Sequence, residues 1–428
     1  MNHIAFKLSA FCLLSMGMAQ FTFAEIERST LPKFTAQEIP VLCDAKIVEM
    51  KTKLTAFGKM QLKDKASAGS VLAQWDQIFA EFEDFTGPVG FYSNVDPNAQ
   101  VRQAADDCEV KINQFQTEIY QDYSLYQQIK KIKTSNEIDT KYRQDILDGF
   151  EENGIQLSTD KQARLKVILD NLTKIQQEFA RNIRDNPEKV EFTADELKGL
   201  PDSYIANLKE NEQGQYLLGF DYPEYLPFMQ MADSDEARKR YQIAYTRRGT
   251  EKNLVLLKQA IDLRYELAQL FGYKSYADWK LKNRMAQNPE TVNHFLNEVH
   301  TIVAPLEKKE VQTLREFKAK TLKIPVEKAE IHRWSEGYWS EKLRKEKYQI
   351  DQEKLREYFP TQASQDWLFA ISSNLYGIEF KPAKVETWQN EVEYYDVTDK
   401  KTGQLLGGLY LDKFPREGKY GHAAVWGV

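Results

Sequence analysis

Histidine and cysteine, the usual builders of metal and nucleophile sites, are scarce here: five and three in 428 residues. His294 and His300 lie six apart, so on a helix they point about 120° away from each other and are poorly placed to grip one ion. His332, in Ile331-His332-Arg333-Trp334, has no second ligand nearby. His422 stands alone after Gly421, and His3 falls in an N-terminal apolar segment. His294, His300 and His332 therefore read as structural or surface residues. The chain holds no H-E-x-x-H, no P-loop, no G-x-G-x-x-G and no G-x-S-x-G, so motifs alone supply no catalytic machinery. Asp106-Asp107-Cys108-Glu109 is no ligand cluster, because consecutive residues splay around a helix; it reads as an exposed acidic turn. Solenoid-period repeats and low-complexity tracts are missing too.

What is present describes a globular chain. Charged residues are 29% and hydrophobic residues 42%, and the net charge is −6. That balance carries no basic patch and so excludes nucleic acid as an expected partner. Mixed runs such as Lys308–Lys323 read as solvated helix faces. At the N-terminus, Lys7 precedes the apolar run Leu8–Met18, and Thr22-Phe23-Ala24 offers small residues at positions −3 and −1. This is the pattern of a signal peptide, with cleavage expected after Ala24 and, as second choice, after Ala19. The run is too short to span a bilayer, which needs about 20 residues. Losing Lys7 takes the mature chain from −6 to −7. The expected location is periplasmic or secreted, with no membrane span after cleavage. Cys43 and Cys108 would then share an oxidising compartment. They could be a bridge, adding about 4 kcal/mol by restricting the unfolded chain, or two separate buried thiols.

Helical periodicity dominates. Val41–Phe57, Val71–Phe85, Ala99–Lys133, Lys141–Gly149 and Lys161–Arg184 repeat apolar residues at three and four spacing. Thr86-Gly87-Pro88 reads as a stop, Asn94-Val95-Asp96-Pro97 as the next start, and Asn153-Gly154 as another break. Short-loop antiparallel helices are the expected result. Gln215–Phe220 predicts a short strand ended by Tyr222-Pro223. Helices are expected again over Asp233–Tyr273, Asn288–Lys320 and Gln365–Leu375. Val385–Trp388, Glu393–Val397 and Leu405–Leu411 predict strands, with a hairpin turn at Asp399–Gly403.

The stretch Tyr410-Leu411-Asp412-Lys413-Phe414-Pro415-Arg416-Glu417-Gly418-Lys419-Tyr420-Gly421-His422-Ala423-Ala424 closely resembles a segment of the thimet oligopeptidase family of zinc metallopeptidases, which includes neurolysin and the bacterial oligopeptidases. Other stretches agree in order. They are Phe179-Ala180-Arg181-Asn182, Leu263-Arg264 with Ala268, Leu270, Gly272 and Tyr273, Met285-Ala286-Gln287-Asn288-Pro289, Tyr338 to Arg344, Tyr358-Phe359-Pro360, and Tyr376-Gly377-Ile378-Glu379-Phe380. One departure is Ser335, where the family often has Asp after the Trp equivalent to Trp334.

The resemblance implies a mainly α, multi-helix channel architecture with a small β-sheet near the C-terminus. The expected organisation is a signal peptide over 1–24, an N-terminal helical domain over 25–230, and the beginning of a catalytic domain over 231–428. In the family an H-E-x-x-H helix holds Zn2+ and its Glu activates water. The Arg416–Ala424 equivalent lies upstream of that helix, and the apolar close Ala423–Val428 adds to the expectation that the 428 residues stop short of it. No catalytic or metal residue is therefore assigned here, and the chain alone is expected to be inactive. Arg416, Lys419, Tyr420 and His422 are the candidate contacts to short peptide substrates, with bracing of the turn as their other role; such a sheet edge can receive an extended peptide. The competing expectation is a non-catalytic helical protein that binds peptides or acts as a scaffold.

Overall fold

The computed structural model describes residue 28 and residues 30–61 and 68–428, so the signal-peptide reading over 1–24 lies outside the described residues. Helices built on three- and four-spaced apolar residues make up the first part: α1 (Glu38–Lys59), α2 (Ala68–Val95), α3 (Ala99–Tyr120), α4 (Tyr123–Lys131), α5 (Glu137–Glu152) and α6 (Thr159–Arg184). Their starts are chemically marked. Asn98 accepts from the Gln100 amide at 2.9 Å, Asp122 from Ser124 at 2.8 Å, and Asn136 from Asp139 at 2.8 Å. Each such cap satisfies an otherwise orphaned N–H and contributes about 1 kcal/mol.

Three sequence expectations change here. Thr86-Gly87-Pro88 does not stop α2, which runs through Pro88 to Val95. The apolar residues Phe82, Phe85, Val89, Phe91, Tyr92 and Val95 are all buried on either side of it. Their burial outweighs the hydrogen bond that Pro88 forgoes. Ala99–Lys133 is two helices, because Gln121-Asp122 breaks the run and Asp122 caps α4. The start expected within Asn94-Val95-Asp96-Pro97 falls just beyond it: Asn98 caps α3, so Pro97 stands outside the helix.

A small antiparallel sheet follows, ordered β1 (Val190–Phe192), β3 (Tyr216–Leu218), β2 (Lys209–Glu210). It shares a core with α8 (Tyr222–Met231) and α9 (Asp235–Arg247); the short α7 (Asp202–Ile205) lies between β1 and β2 in the chain. Phe192, Leu218, Phe228 and Tyr241 are fully buried there, and the Tyr241 hydroxyl donates to the Gly219 carbonyl. Gly249, at φ 65°, separates α9 from α10 (Thr250–Leu270). Then come α11 (Tyr276–Leu281), α12 (Pro289–Leu322), α13 (Glu336–Tyr348) and α14 (Gln352–Arg356). Buried Arg238 is fully used: it donates to Asp235 at 2.7 Å, to the Trp334 carbonyl at 3.2 Å and to the Ala232 carbonyl, and it lies 3.9 Å over the Tyr338 ring. A buried cation needs such partners to stay charged.

By compactness the chain forms two units. The smaller holds Gln365–Val385, Glu393–Leu411 and, of the described N-terminal residues, Arg28 and Thr30; the larger holds Leu31–Ser364, Glu386–Val392 and Asp412–Val428. The smaller unit takes in α15 (Thr361–Tyr376) from Gln365 onward, and the helix leads into an antiparallel sheet of β4 (Ile378–Pro382), β5 (Glu393–Asp399) and β6 (Leu405–Leu411), in that order. Phe369 stacks on Phe380 at 4.3 Å and meets Tyr395 edge-on at 4.8 Å. The hairpin turn forms where the sequence puts it. Asp399 accepts from the Lys401 and Thr402 amides, and Gly403 takes φ 72°. Gly408 faces the Tyr394 ring so closely that any side chain there would collide with it.

The architecture is thus the expected one, mainly helical with a small antiparallel sheet near the C-terminus. Val385–Trp388, however, is not a strand. Trp388 is buried by its edge-on contact with Phe91 at 4.7 Å, so its aromatic content serves packing on α2 rather than strand pairing.

Candidate functional site

The turn after β6 is organised by one carboxylate, Asp412. It accepts from Arg416 at 2.8 Å, from Lys419 at 2.8 Å and from the Trp388 indole at 3.0 Å. Burial works against its charge, but the hydrogen bonds from Arg416, Lys419 and Trp388 win and hold the carboxyl below its usual range. Lys419 also donates to the Asp412 and Phe414 carbonyls, each at 2.8 Å. Arg416 donates to the Val95 carbonyl at the end of α2, and the Tyr420 amide donates to Asn94 at 2.8 Å. Gly418 takes φ 75° against the Arg102 guanidinium, a conformation and an approach that suit glycine alone. Arg102 in turn donates to the Asp96 carbonyl at 2.8 Å and the Pro97 carbonyl at 3.2 Å. Arg416 and Lys419 are therefore largely engaged in closing the turn onto α2. Tyr420 and His422 are exposed; the His422 ring lies edge-on to Tyr222 at 5.3 Å. Asp412 was not singled out from the sequence, although its spacing of four to Arg416 and seven to Lys419 was there to see.

A second polar cluster sits between α3 and α6, and it corrects the reading of Asp106–Glu109 as an exposed turn. Asp106 is buried and Glu109 partly so, because residues three apart share a helix face, and that face meets α6. Arg181 donates to Asp106 at 2.9 and 3.1 Å, and Arg184 stands 3.6 Å from it. Gln177 donates to the Asp106 carbonyl at 3.2 Å and to Glu109 at 3.3 Å. Burial pushes the Glu109 carboxyl up to about 7, with the Asp106 charge adding to the effect. Within Phe179-Ala180-Arg181-Asn182, Asn182 donates to Asn253 at 2.8 Å, and Asn253 donates to the Phe179 carbonyl at 3.1 Å. That motif ties α6 to α3 and α10. Cys43 of α1 and Cys108 of α3 are joined as a disulfide with Cα atoms 6.0 Å apart.

A cleft of about 620 Å3 opens between α3, α6 and α10. Its walls mix amides and a hydroxyl (Gln116, Gln176, Thr173) with apolar Phe179 and Leu256 and the cation Arg264. Among the described residues, no group of three or more His, Cys, Asp or Glu side chains is placed to hold a metal ion. His294 and His300 are exposed on α12, and His332 stacks on Trp334 at 4.5 Å. The described residues do not fit a zinc centre, so no chemical step is routed through one. Ser335, where the resemblance departs, is fully buried. Its hydroxyl accepts from the His332 amide at 2.9 Å, and Trp334 donates to Asp235 at 2.8 Å.

The model described as Peptidase family M3 matches residues 228–428, and the chain carries a domain of that family. The thimet-like oligopeptidase of Dictyostelium discoideum is 27% identical over 385 residues, 85% of this chain and 57% of that protein. Saccharolysin of Saccharomyces cerevisiae is 28% identical over 377 residues, 82% of this chain and 53% of its own length. Oligopeptidase A of Escherichia coli is 30% identical over 373 residues, 81% of this chain and 54% of that protein. The chain thus spans a little over half the length of these relatives.

Proposed function

We propose that this chain is the helical and sheet-founding portion of an exported, zinc-dependent oligopeptidase acting on short peptides, and that its 428 residues alone cleave none. The observation that carries the reading is the match to family M3 over 228–428, continuous with similarity to oligopeptidases over most of the chain. Export is supported by the N-terminal pattern and by the disulfide between α1 and α3, since such bridges persist in oxidising compartments. The lack of H-E-x-x-H supports inactivity of the chain by itself. The cleft between α3, α6 and α10 suits a short peptide: amide side chains can pair with its backbone, and Arg264 with a carboxylate.

The purified chain, incubated with a quenched fluorogenic peptide and zinc, should release no fluorescence above background. Chelator-sensitive cleavage, or stoichiometric zinc retained through dialysis, would refute inactivity. Retention of the protein in the cytoplasmic fraction, with residues 1–24 still attached, would refute export.

A further inference from the structure

The disulfide between Cys43 and Cys108 lies inside the seam of α1 and α3 rather than at its edge. Cys43 is 0% exposed and Cys108 2%. On α1, Cys43 shares one face with the buried residues Ile39, Met50, Leu54 and Phe57. At 100° per residue these five fall within about 60° of the helix circumference. On α3, Cys108 is in line with buried Val101, Ala105, Ile112 and Ile119, again within about 60°. Each sulfur therefore stands in the middle of an apolar stripe. Ion pairs flank the seam, Asp44 with Lys111 at 2.6 Å and Lys51 with Glu118 at 4.0 Å. None of these contacts uses the S–S bond, so α1 and α3 can pack with both thiols reduced and hidden between them.

We infer that this bond must be made before α1 closes on α3, by a disulfide-carrying oxidoreductase that acts on the incompletely folded chain. Thiol–disulfide exchange requires a thiolate to reach a sulfur, and its rate depends on access. In the closed seam neither sulfur is within reach. In the open chain one cysteine thiolate attacks the carrier's disulfide, forming a mixed disulfide and releasing one carrier thiol. The second thiolate then attacks the chain's own sulfur in that mixed disulfide and expels the carrier as a dithiol. Two electrons and two protons thus pass from the cysteine pair to the carrier, and no other co-reactant is needed. Cys12 falls in the segment expected to be removed, so the mature chain offers a single intramolecular pairing and needs no isomerisation step. The oxidising compartment in which the carrier works is taken from the export reading given above. The same burial makes the finished bond inert to external thiols until the helices open.

The test uses the purified full chain with Cys12→Ala, reduced and unfolded in urea, and oxidised glutathione as the probe. One portion receives the probe in urea and is then diluted to fold. The other is diluted first and receives the probe after its helical circular dichroism has returned. Free thiols, trapped with a maleimide, are counted by mass spectrometry, and rates are normalised to a cysteine peptide in the same buffer. The folded portion should lose its thiols roughly tenfold more slowly, or slower still. The portion bridged in urea should fold to the same spectrum. Comparable rates in the two portions would overturn the inference, since the packed thiols would then be reachable. So would a reduced chain that fails to regain its helices, because its thiols would stay open until bridged. Neither outcome bears on export. A cellular protein found bridged with residues 1–24 still attached would overturn the export reading and leave the order of events standing.

Discussion

Replacing Glu109 by Gln should make the protein more stable above neutral pH and leave it nearly unchanged near pH 4.5. Glu109 is held among α3, α6 and α2, where a side chain on Gly90 would crowd its carboxyl oxygen. Burial first, and the Asp106 charge second, raise its pKa from 4.5 to about 7, against the pull of Gln177 and Arg184. A raised carboxyl pKa means that the native state binds the proton more tightly than the unfolded chain. Stability is therefore full below about pH 4.5, falls as pH rises toward 7, and levels off above it. Raising the carboxyl from 4.5 to about 7 corresponds to about 3 kcal/mol. Glutamine has nearly the same shape, keeps the Gln177 contact and cannot ionise, so Glu109→Gln should recover up to that amount at pH 8. Urea unfolding of both proteins at pH 4.5, 6, 7 and 8 gives the difference in unfolding free energy at each pH. A gap that opens between pH 5 and 8 is expected. A gap independent of pH, or one that widens toward acid, would refute the assignment of a buried, proton-binding Glu109.

Two further outcomes test other parts of the fold. The mature chain should have a mass two hydrogens below that of the reduced form, and Cys43→Ala with Cys108→Ala should lower stability by about 4 kcal/mol, because a 65-residue separation is closed; equal stability of the oxidised and doubly substituted chains would contradict this. Asp412→Ala leaves Arg416 and Lys419 without their shared carboxylate, at a cost of about 3 kcal/mol, and should speed hydrogen exchange at the Tyr420 amide. Because the Asp412 pKa is depressed, its contribution is present above the ordinary carboxyl range and is lost as pH falls through the lowered value. Unchanged exchange in the variant would show that the turn is held by other contacts.

Much of the fold was legible locally. The period of the apolar residues in α1, α6 and α12 and the turn chemistry of Asp399–Gly403 lie within a few residues of the structure they produce. The family resemblance was legible for a related reason, since it rests on ordered short stretches. What was misread depended on neighbours distant in the chain. Pro88 is a stop signal by itself and becomes helical only because the residues around it are buried. Trp388 looks like a strand residue until Phe91, 297 positions earlier, is found against it.

The candidate sites divide in the same way. The sequence by itself determined which chemistry was available: few histidines, no H-E-x-x-H, one cysteine pair, and a basic turn at Arg416–His422. Tertiary structure alone decided how it is used. Asp412 engages two of the turn's cations, and Arg181 and Arg184 face Asp106 from another helix. The physical reason is range. Helix and turn preferences act over a few residues, whereas burial and charge pairing depend on which segments the completed fold brings together.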